Sequence, residues 1–443
     1  MDSQVLHIGM DDIDSPQGGC TTHFVSLMVN KLENLGVEWC DYPNLIRLNP
    51  NIPFRTRGNG AVALRISTEC SSTEILAVLN KAVSSYVQKN HHNTNPGIVI
   101  VPNEIPEILL NFSQTAIWRA VPVDYAERIL QKYDWNHLRT GTGRGIIGAL
   151  AAVGNTLVGD HTYELITYRN PNECYLDRDV DPESVYDMDS KFPRHTFSNV
   201  DPQTGQILIE PHGPDPVLFG IRGEYPVSLR IACGFVYAGQ QIQRWCIFRS
   251  NQGTGEHLQH KVMIAELRPY MAAVVEGQVI ESPRIIEGGH VIFTIRDSTG
   301  SIECAAYEPT GDFRNIVRSL IPGDKVLLHT GVKPASRTHG MTLNVEGLEV
   351  LHLAENISYF NPICPDCGKR LKSAGRNKGF KCEKCGYRST NMRKIESIEL
   401  RTVSTGLYLP PLRAHRHLTR PIARIGRYND GRSISLIPRW HSE

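Results

Sequence analysis

Four cysteines are arranged as two pairs, Cys364-x2-Cys367 and Cys382-x2-Cys385, with fourteen residues between them. Each pair makes a tight turn that offers two thiolates to one ion, and two such turns complete a tetrahedral Zn²⁺ site. Gly368 and Gly386 follow the second cysteine of each pair, where such a turn needs relaxed backbone geometry. Iron–sulfur ligation and a redox dithiol are the alternatives. Structural Zn²⁺ is the reading adopted. Because four thiolates leave no open coordination position, the metal would fold and present the loop 369–381 and not catalyse. Lys369, Arg370, Lys372, Arg376, Lys378 and Lys381 on that loop can contact phosphates.

A second group is acidic. Asp11, Asp12 and Asp14 follow a short apolar run and precede Gly18-Gly19. Carboxylates at a strand end suit Mg²⁺ shared with substrate phosphates. Gly18 and Gly19 let backbone approach a phosphate at the start of the next helix. A solvated Asp-rich turn fits the same residues.

Three further loops carry donors or a stiffened acid. Residues 48–60 hold Arg55, Arg57 and Asn59 among two prolines and two glycines, a rigid loop with forked donors for phosphates or a base. Thr140-Gly141-Thr142-Gly143-Arg144-Gly145 resembles a phosphate cradle but lacks the GxxxxGK[ST] pattern. In Pro211-His212-Gly213-Pro214-Asp215-Pro216, three prolines fix the direction of one carboxylate, which suits a guanidinium partner. Arg222 and Glu224 follow shortly after. Ordinary surface loops and a proline-stiffened connection are the plain readings of these segments.

The elements that must position these groups are legible in outline. Val5–Met10 reads as a strand, and Thr21 or Thr22 as the cap of a helix with Phe24, Leu27, Met28, Leu32 and Leu35 on one face, stopping at Gly36. Residues 45–48, 61–66 and 97–101 read as strands and 72–88 as an amphipathic helix. The first 160 or so residues therefore read as α/β. Strands and helices also mix over about 166–265, where the polar stretch 169–193 is a candidate linker or binding loop. From Ala272 the texture becomes strand-rich: 274–280, 290–296, 302–307, 325–332 and 341–350, with a short helical piece between the third and fourth. That layout suits an OB-fold barrel.

Composition bounds the class. The 443 residues are 40% hydrophobic and 21% charged, ordinary for a globular chain of several domains. No apolar run reaches about 18 residues, which argues against a membrane span. Residues 1–10 are too short and polar for a secretory signal, and scattered cysteines beside one paired cluster suit a reducing compartment. A cytoplasmic location is expected. The net charge of +1 conceals an asymmetry: residues 361–443 carry 18 Lys and Arg against 6 Asp and Glu. A basic end on an acidic body points to a polyanionic partner.

Taken in order, GMDDIDSPQGGCTTHF, IRLNPNIPFRTRGNGAVALRI, RTGTGRGIIGALAAVG, HGPDPVLFGIRGE and FRSNQGTGEHL resemble successive signatures of the archaeal tRNA-Ile 2-agmatinylcytidine synthetase family. The resemblance covers essentially the whole chain. It implies a multidomain α+β protein: a kinase-like α/β catalytic domain (1–165), a ferredoxin-like domain with the agmatine site (166–268), an OB-fold β-barrel for tRNA (269–353), a zinc ribbon (354–395) and a basic C-terminal arm (396–443). It implies an ATP-dependent ligase. The cytidine O2 is phosphorylated, the amine of agmatine attacks, ATP ends as AMP, and the CAU anticodon of tRNA-Ile becomes able to decode AUA. The family's acidic triplet falls on Asp11, Asp12 and Asp14, with Ile13 where the family often has Thr, and its autophosphorylated threonine falls on Thr21. ATP and Mg²⁺ are the implied cofactors besides Zn²⁺. Gly18, Gly19, Arg57, Asn59, Gly141 and Gly143 are the expected phosphate-binding set, and His212, Asp215, Arg222 and Glu224 the expected agmatine set. Two rivals are a non-enzymatic OB-fold and zinc-ribbon RNA-binding protein, which leaves the first 265 residues without a task, and a small-molecule kinase with accessory domains.

Overall fold

Alternating residues of Gln4–Asp11 (β1) face opposite ways, and Leu6, Ile8 and Met10 are wholly buried on one side. In the computed structural model residues 3–87, 94–337, 339–429 and 435–442 are described. Met1 and Asp2, the expected helix end at Gln88, and residues 430–434 and 443 of the expected arm lie outside them.

The first part of the chain runs β1, α1 (Thr21–Glu33), β2 (Glu38–Trp39), β3 (Asn44–Arg47), β4 (Gly60–Thr68), α2 (Ser72–Tyr86), β5 (Gly97–Pro102), α3 (Glu107–Trp118), α4 (Val123–Tyr133), β6 (His137–Arg139) and α5 (Gly145–Gly154). It continues with β7 (Thr162–Tyr168), α6 (Pro182–Lys191), β8 (Val217–Gly223), α7 (Pro226–Cys233) and β9 (Arg244–Ser250). All nine strands share one sheet in the order β6-β5-β1-β4-β3-β9-β7-β8, with β2 on β4. Only the β3–β9 junction is parallel, through Asn44↔Arg249 and Leu45↔Ser250. The sheet is buried on both faces. Val62, Leu64 and Ile66 of β4 join one core with α1 and α2, whereas Ala61 and Ala63 join the other with α3, α4 and α5.

Three expectations need correction here. The acidic loop does follow the end of β1, but both neighbours of β1 are antiparallel, so the starts of β4 and β5 meet it there instead of a row of strand ends. Helix α1 is capped by Cys20 with no side-chain hydrogen bond; Thr21 and Thr22 lie inside its first turn, where their hydroxyls meet Asp14 and the Cys20 sulfur instead. The polar stretch 169–193 is built structure. Asp181 accepts from Glu183 N and Ser184 N to cap α6, and the buried Arg169 donates to the carbonyls of Cys174 and Leu176.

The strand-rich segment comprises β10 (Ala272–Ile285), β11 (Val291–Arg296), β12 (Ser301–Ala306), α8 (Phe313–Arg318), β13 (Lys325–Lys333) and β14 (Thr342–His352). A parallel pairing of β12 with β14 closes these five strands on themselves around a separate core. Beyond them, β15 (Asn356–Phe360) pairs with β19 (Ile395–Glu399). Between the two lies a small unit of β16 (Lys372–Ser373), β17 (Phe380–Lys381) and β18 (Arg388–Ser389) around the four paired cysteines. β20 (Gly406–Tyr408) then adds to β14. No cysteine forms a disulfide. Among the described residues no helix is long and apolar enough to cross a membrane.

The tail corrects the charge argument. Arg401 pairs with Asp324 at 2.7 Å, Arg413 with Asp201 at 2.9 Å, and Arg420 with Asp160 at 2.6 Å. Arg424, wholly buried, reaches Asp160 at 3.0 Å and Glu224 at 2.7 Å. Trp440 packs edge-on against Trp39 and Tyr42. The tail is bound to the acidic body, so much of the asymmetry is satisfied within the molecule.

Candidate functional site

A cavity of ≈ 840 Å³ gathers residues of the acidic loop, 45–60, 116–123, 144–148, β7, 197–222 and, from the tail, 412–419. Of the loop 140–145 only Arg144 lines it; the turn around Gly141 and Gly143 does not. Thr142 N donates to Asn95 Oδ1 at 2.8 Å, and Asn95 in turn donates to Asp12 Oδ2 from N at 3.1 Å and Nδ2 at 3.2 Å. That turn therefore positions Asp12. Gly18 and Gly19 are also absent from the wall; Gly19 contributes a carbonyl that accepts from Arg57 Nη1 at 2.9 Å.

The acidic end holds Asp11, Asp12 and Asp14. Asp11 lies against α5 so closely that a Cβ on Gly148 would fall 1.9 Å from its Oδ2. Burial first, then the neighbouring Asp12 charge, pushes its carboxyl well above the usual range. Burial also raises Asp12, against the hydrogen bonds from Asn95. Asp14 accepts from Arg57 Nη1 at 3.0 Å and from Thr21 Oγ1 at 3.4 Å. A buried, mutually repelling carboxylate pair suits a hard cation. The three carboxylates do not converge, however: among the described residues only the four cysteines offer three or more ligand atoms within 4.8 Å of one another.

The middle of the cavity belongs to Asp215. Its side chain is almost wholly buried, with Oδ2 3.3 Å from Arg57 Nε and Oδ1 3.2 Å from Arg178 Nη2, and Val217 N donates to Oδ1 at 3.0 Å. His212 and Glu210 line the wall beside it. Glu210 has no ion-pair partner among the described residues, and burial raises its carboxyl. Glu224 does not reach this cavity. It follows the end of β8 and is locked to Arg424 and Asn429.

Another part of the wall is rich in arginine. Glu164, the one charged residue of the buried strand β7, accepts from Arg222 Nε at 3.2 Å and Gln252 Nε2, and lies 3.7 Å from Arg47. Arg222 also reaches His417 of the tail, with Nη2 3.1 Å from Nδ1. Asn59 lines the cavity and donates to the carbonyl of Asn49 at 2.8 Å. Sequence reasoning missed Glu164, Glu210, Arg47 and His417. The signal for Glu164 was present, a lone carboxylate inside an apolar strand. For His417 there was none, since the tail read as an arm.

Away from the cavity, Cys364 and Cys385 have sulfurs 3.4 Å apart and Cys367 and Cys382 3.5 Å. A tetrahedral site with Zn–S bonds of about 2.3 Å needs sulfurs about 3.8 Å apart, so the set fits. Gly368 N donates to Cys364 O and Gly386 N to Cys382 O, closing the two turns at positive φ. All six basic residues of 369–381 are exposed, and Arg370 lies 5.1 Å over the Phe360 ring.

Comparison with known proteins covers the chain. Family models match at residues 7–142 (TiaS TCKD domain), 143–257 (TiaS FLD domain) and 361–401 (TiaS C-terminal zinc ribbon domain). The isoleucine-tRNA 2-agmatinylcytidine synthetase TiaS of Staphylothermus marinus is 42% identical over 96% of this chain and 95% of its own. The crystal structure of a TiaS complex with its isoleucine tRNA and ATP superposes with a TM-score of 0.87 at 38% identity, covering 97% of this chain and 99% of that one. A TiaS complex with the same tRNA, AMPCPP and agmatine gives 0.84 at 36%, with the same coverage.

Proposed function

The chain belongs to the TiaS family of isoleucine-tRNA 2-agmatinylcytidine synthetases, and from that premise we propose that it is an ATP-dependent ligase joining agmatine to the wobble cytidine of a CAU-anticodon tRNA-Ile. The carrying observation is that the likeness runs through the sheet, the closed five-stranded unit and the cysteine unit alike. No part of the chain is left without a task, which disfavours a plain RNA-binding protein.

The cavity chemistry supports this reading. A carbonyl oxygen leaves poorly until it is phosphorylated. Transfer of the γ-phosphoryl group to the cytidine O2 forms one P–O bond as the β–γ bridging P–O bond of ATP breaks, leaving ADP, whose hydrolysis gives AMP and phosphate; the neutral amine of agmatine then attacks C2, loses a proton and expels phosphate carrying the former O2. An anticodon-loop base is extruded for a few kcal/mol. Asp11 and Asp12 would hold Mg²⁺, with Asp14 beside them; Mg²⁺ neutralises developing charge on ATP phosphates. Thr21, whose hydroxyl points at Asp14, is the autophosphorylation candidate. Arg57 and Asn59 would face the phosphates, while Gly18, Gly19, Gly141 and Gly143 shape the loops that aim the acids. Agmatine's guanidinium would lie beside His212, Asp215 and Glu210. Arg222 would repel it and Glu224 is elsewhere, so both leave the agmatine set.

On this reading residues 1–165 act as the kinase-like domain, 166–268 as the ferredoxin-like domain and 269–353 as the OB-fold. The ribbon at 354–395 would hold Zn²⁺ and offer Lys369, Arg370, Lys372, Arg376, Lys378 and Lys381 to tRNA, with 396–443 as the arm, in the cytoplasm. The test is incubation with ATP, agmatine and a CAU-anticodon transcript, followed by nucleoside mass analysis. A cytidine heavier by agmatine less water is expected; unmodified nucleosides with all three present would overturn the proposal.

A further inference from the structure

His417 enters the cavity from the tail, and its hydrogen bonding fixes its protonation. Arg222 Nη2 lies 3.1 Å from His417 Nδ1. A guanidinium only donates, so Nδ1 accepts and the ring proton is on Nε2. Charges facing the ring agree: Arg47 first, then burial, Arg222, Arg55 and Arg416 push the imidazole well below its usual range. Among the described residues Nε2 has no hydrogen-bond partner. It sits against Gly58, where a Cβ would fall 2.5 Å from Nε2 and 2.8 Å from Arg47 Nη1. Glycine there leaves both donors uncovered.

The surroundings carry a surplus of positive charge. Four guanidinium groups, Arg47, Arg55, Arg222 and Arg416, face the ring. Against them stand Glu164, shared by Arg47 and Arg222, and Glu346, 3.6 Å from Arg416 and 3.3 Å from His257. Among the described residues Arg55 donates only to the carbonyls of Pro50 and Arg57, and the buried Arg47 Nε has no partner. Unused N–H donors in a cationic wall are the chemistry of an oxyanion site.

We infer that the tail completes a phosphate subsite in this part of the cavity, in which His417 Nε2–H and the guanidinium groups of Arg47 and Arg222 hold a phosphate group of a substrate. The inference rests on the proposed reaction for its candidates, the phosphates of ATP and of the RNA backbone. His417 is a neutral donor because arginines surround it, so it adds a directed hydrogen bond without adding charge.

Equilibrium binding of ATP, of the CAU-anticodon transcript and of agmatine to the full chain tests it. His417→Ala should raise the Kd of ATP or of the transcript about tenfold or more, with agmatine unchanged. His417→Gln, whose amide reaches the place of Nε2, should recover most of the loss. A shift for ATP assigns the nucleotide phosphate; a shift for the transcript assigns the RNA backbone. His417→Phe fills the volume without a donor and should match His417→Ala, which guards against a folding defect. The subsite is overturned if neither phosphate-bearing ligand weakens, if Gln is as poor as Ala, or if Phe binds like the parent chain. Absence of modified cytidine from the parent chain would sink the proposed reaction, while these Kd values still judge the subsite.

Discussion

Arg57 Nε stands 3.3 Å from Asp215 Oδ2 while Arg57 Nη1 stands 3.0 Å from Asp14 Oδ2. One guanidinium thus ties the carboxylate of the proline-stiffened loop to the acidic loop. It also answers part of what Asp215 was expected to do, because this carboxylate already holds two guanidinium groups of its own chain, those of Arg57 and Arg178.

Glu210→Gln is therefore expected to raise the agmatine KM about tenfold, the scale of one charge-assisted hydrogen bond, with the ATP KM unchanged. Asp215→Asn should instead cost about 1–3 kcal/mol of stability by leaving buried arginines poorly partnered. Steady-state kinetics with agmatine varied, beside denaturant unfolding, separates the two. A selective agmatine defect in Asp215→Asn with none in Glu210→Gln reverses the assignment.

Asp12→Ala should lower ATP turnover about a hundredfold or more, the scale of removing a charge-stabilising group, and leave transcript binding nearly intact. Asp11→Ala should behave alike. Normal turnover in Asp11→Ala, Asp12→Ala and Asp14→Ala together would mean the cation is held elsewhere.

Zinc chelation or Cys382→Ser should weaken transcript binding while the sheet half keeps its unfolding transition. The thiolates fold the unit that carries the exposed loop 369–381. With phosphate contacts from this loop, as proposed, log K should fall with log[salt] by about 0.7 to 0.9 per contact, and the slope should flatten in Cys382→Ser. An unchanged slope and affinity refute this role.

Asp324→Asn gives a pH signature. Burial raises the Asp324 carboxyl, but hydrogen bonds from Arg401, Ile321 N and Ala354 N outweigh it and hold the group below its ordinary 3.8. A depressed carboxyl contributes stability that is fully present above 3.8 and is lost as pH falls through the folded value. The parent chain should thus exceed Asp324→Asn in Tm at neutral pH, by an amount consistent with the roughly 3–5 kcal/mol of breaking a buried pair. The gap should shrink as pH falls from 3.8 through the folded value. A gap independent of pH refutes the charge pairing.

The five strands of the closed unit were legible within a few residues, because their buried faces alternate and turns separate them. The cysteine unit was legible from spacing alone. The acidic loop and Asp215 were found because prolines, glycines and clustered acids stand out locally. Glu164, Arg47 and His417 were not, since their meaning lies in contacts between distant segments such as Arg222 with His417. The tail misled for the same reason. Its arginines counted toward a basic end for a polyanion, yet Arg413, Arg420 and Arg424 spend their charge on Asp201, Asp160 and Glu224.

That return of the tail has a consequence for how the protein is made. Asp11 and Asp12 leave the ribosome long before Leu412 to Thr419, which line the same cavity. Until that stretch has emerged, the nascent sheet exposes Asp160 and Glu224 without Arg424 and leaves Trp39 without Trp440. Synthesis must therefore run almost to the end of these 443 residues before a working cavity exists. A chain cut after the cysteine unit would carry every sequence motif and still lack its last wall.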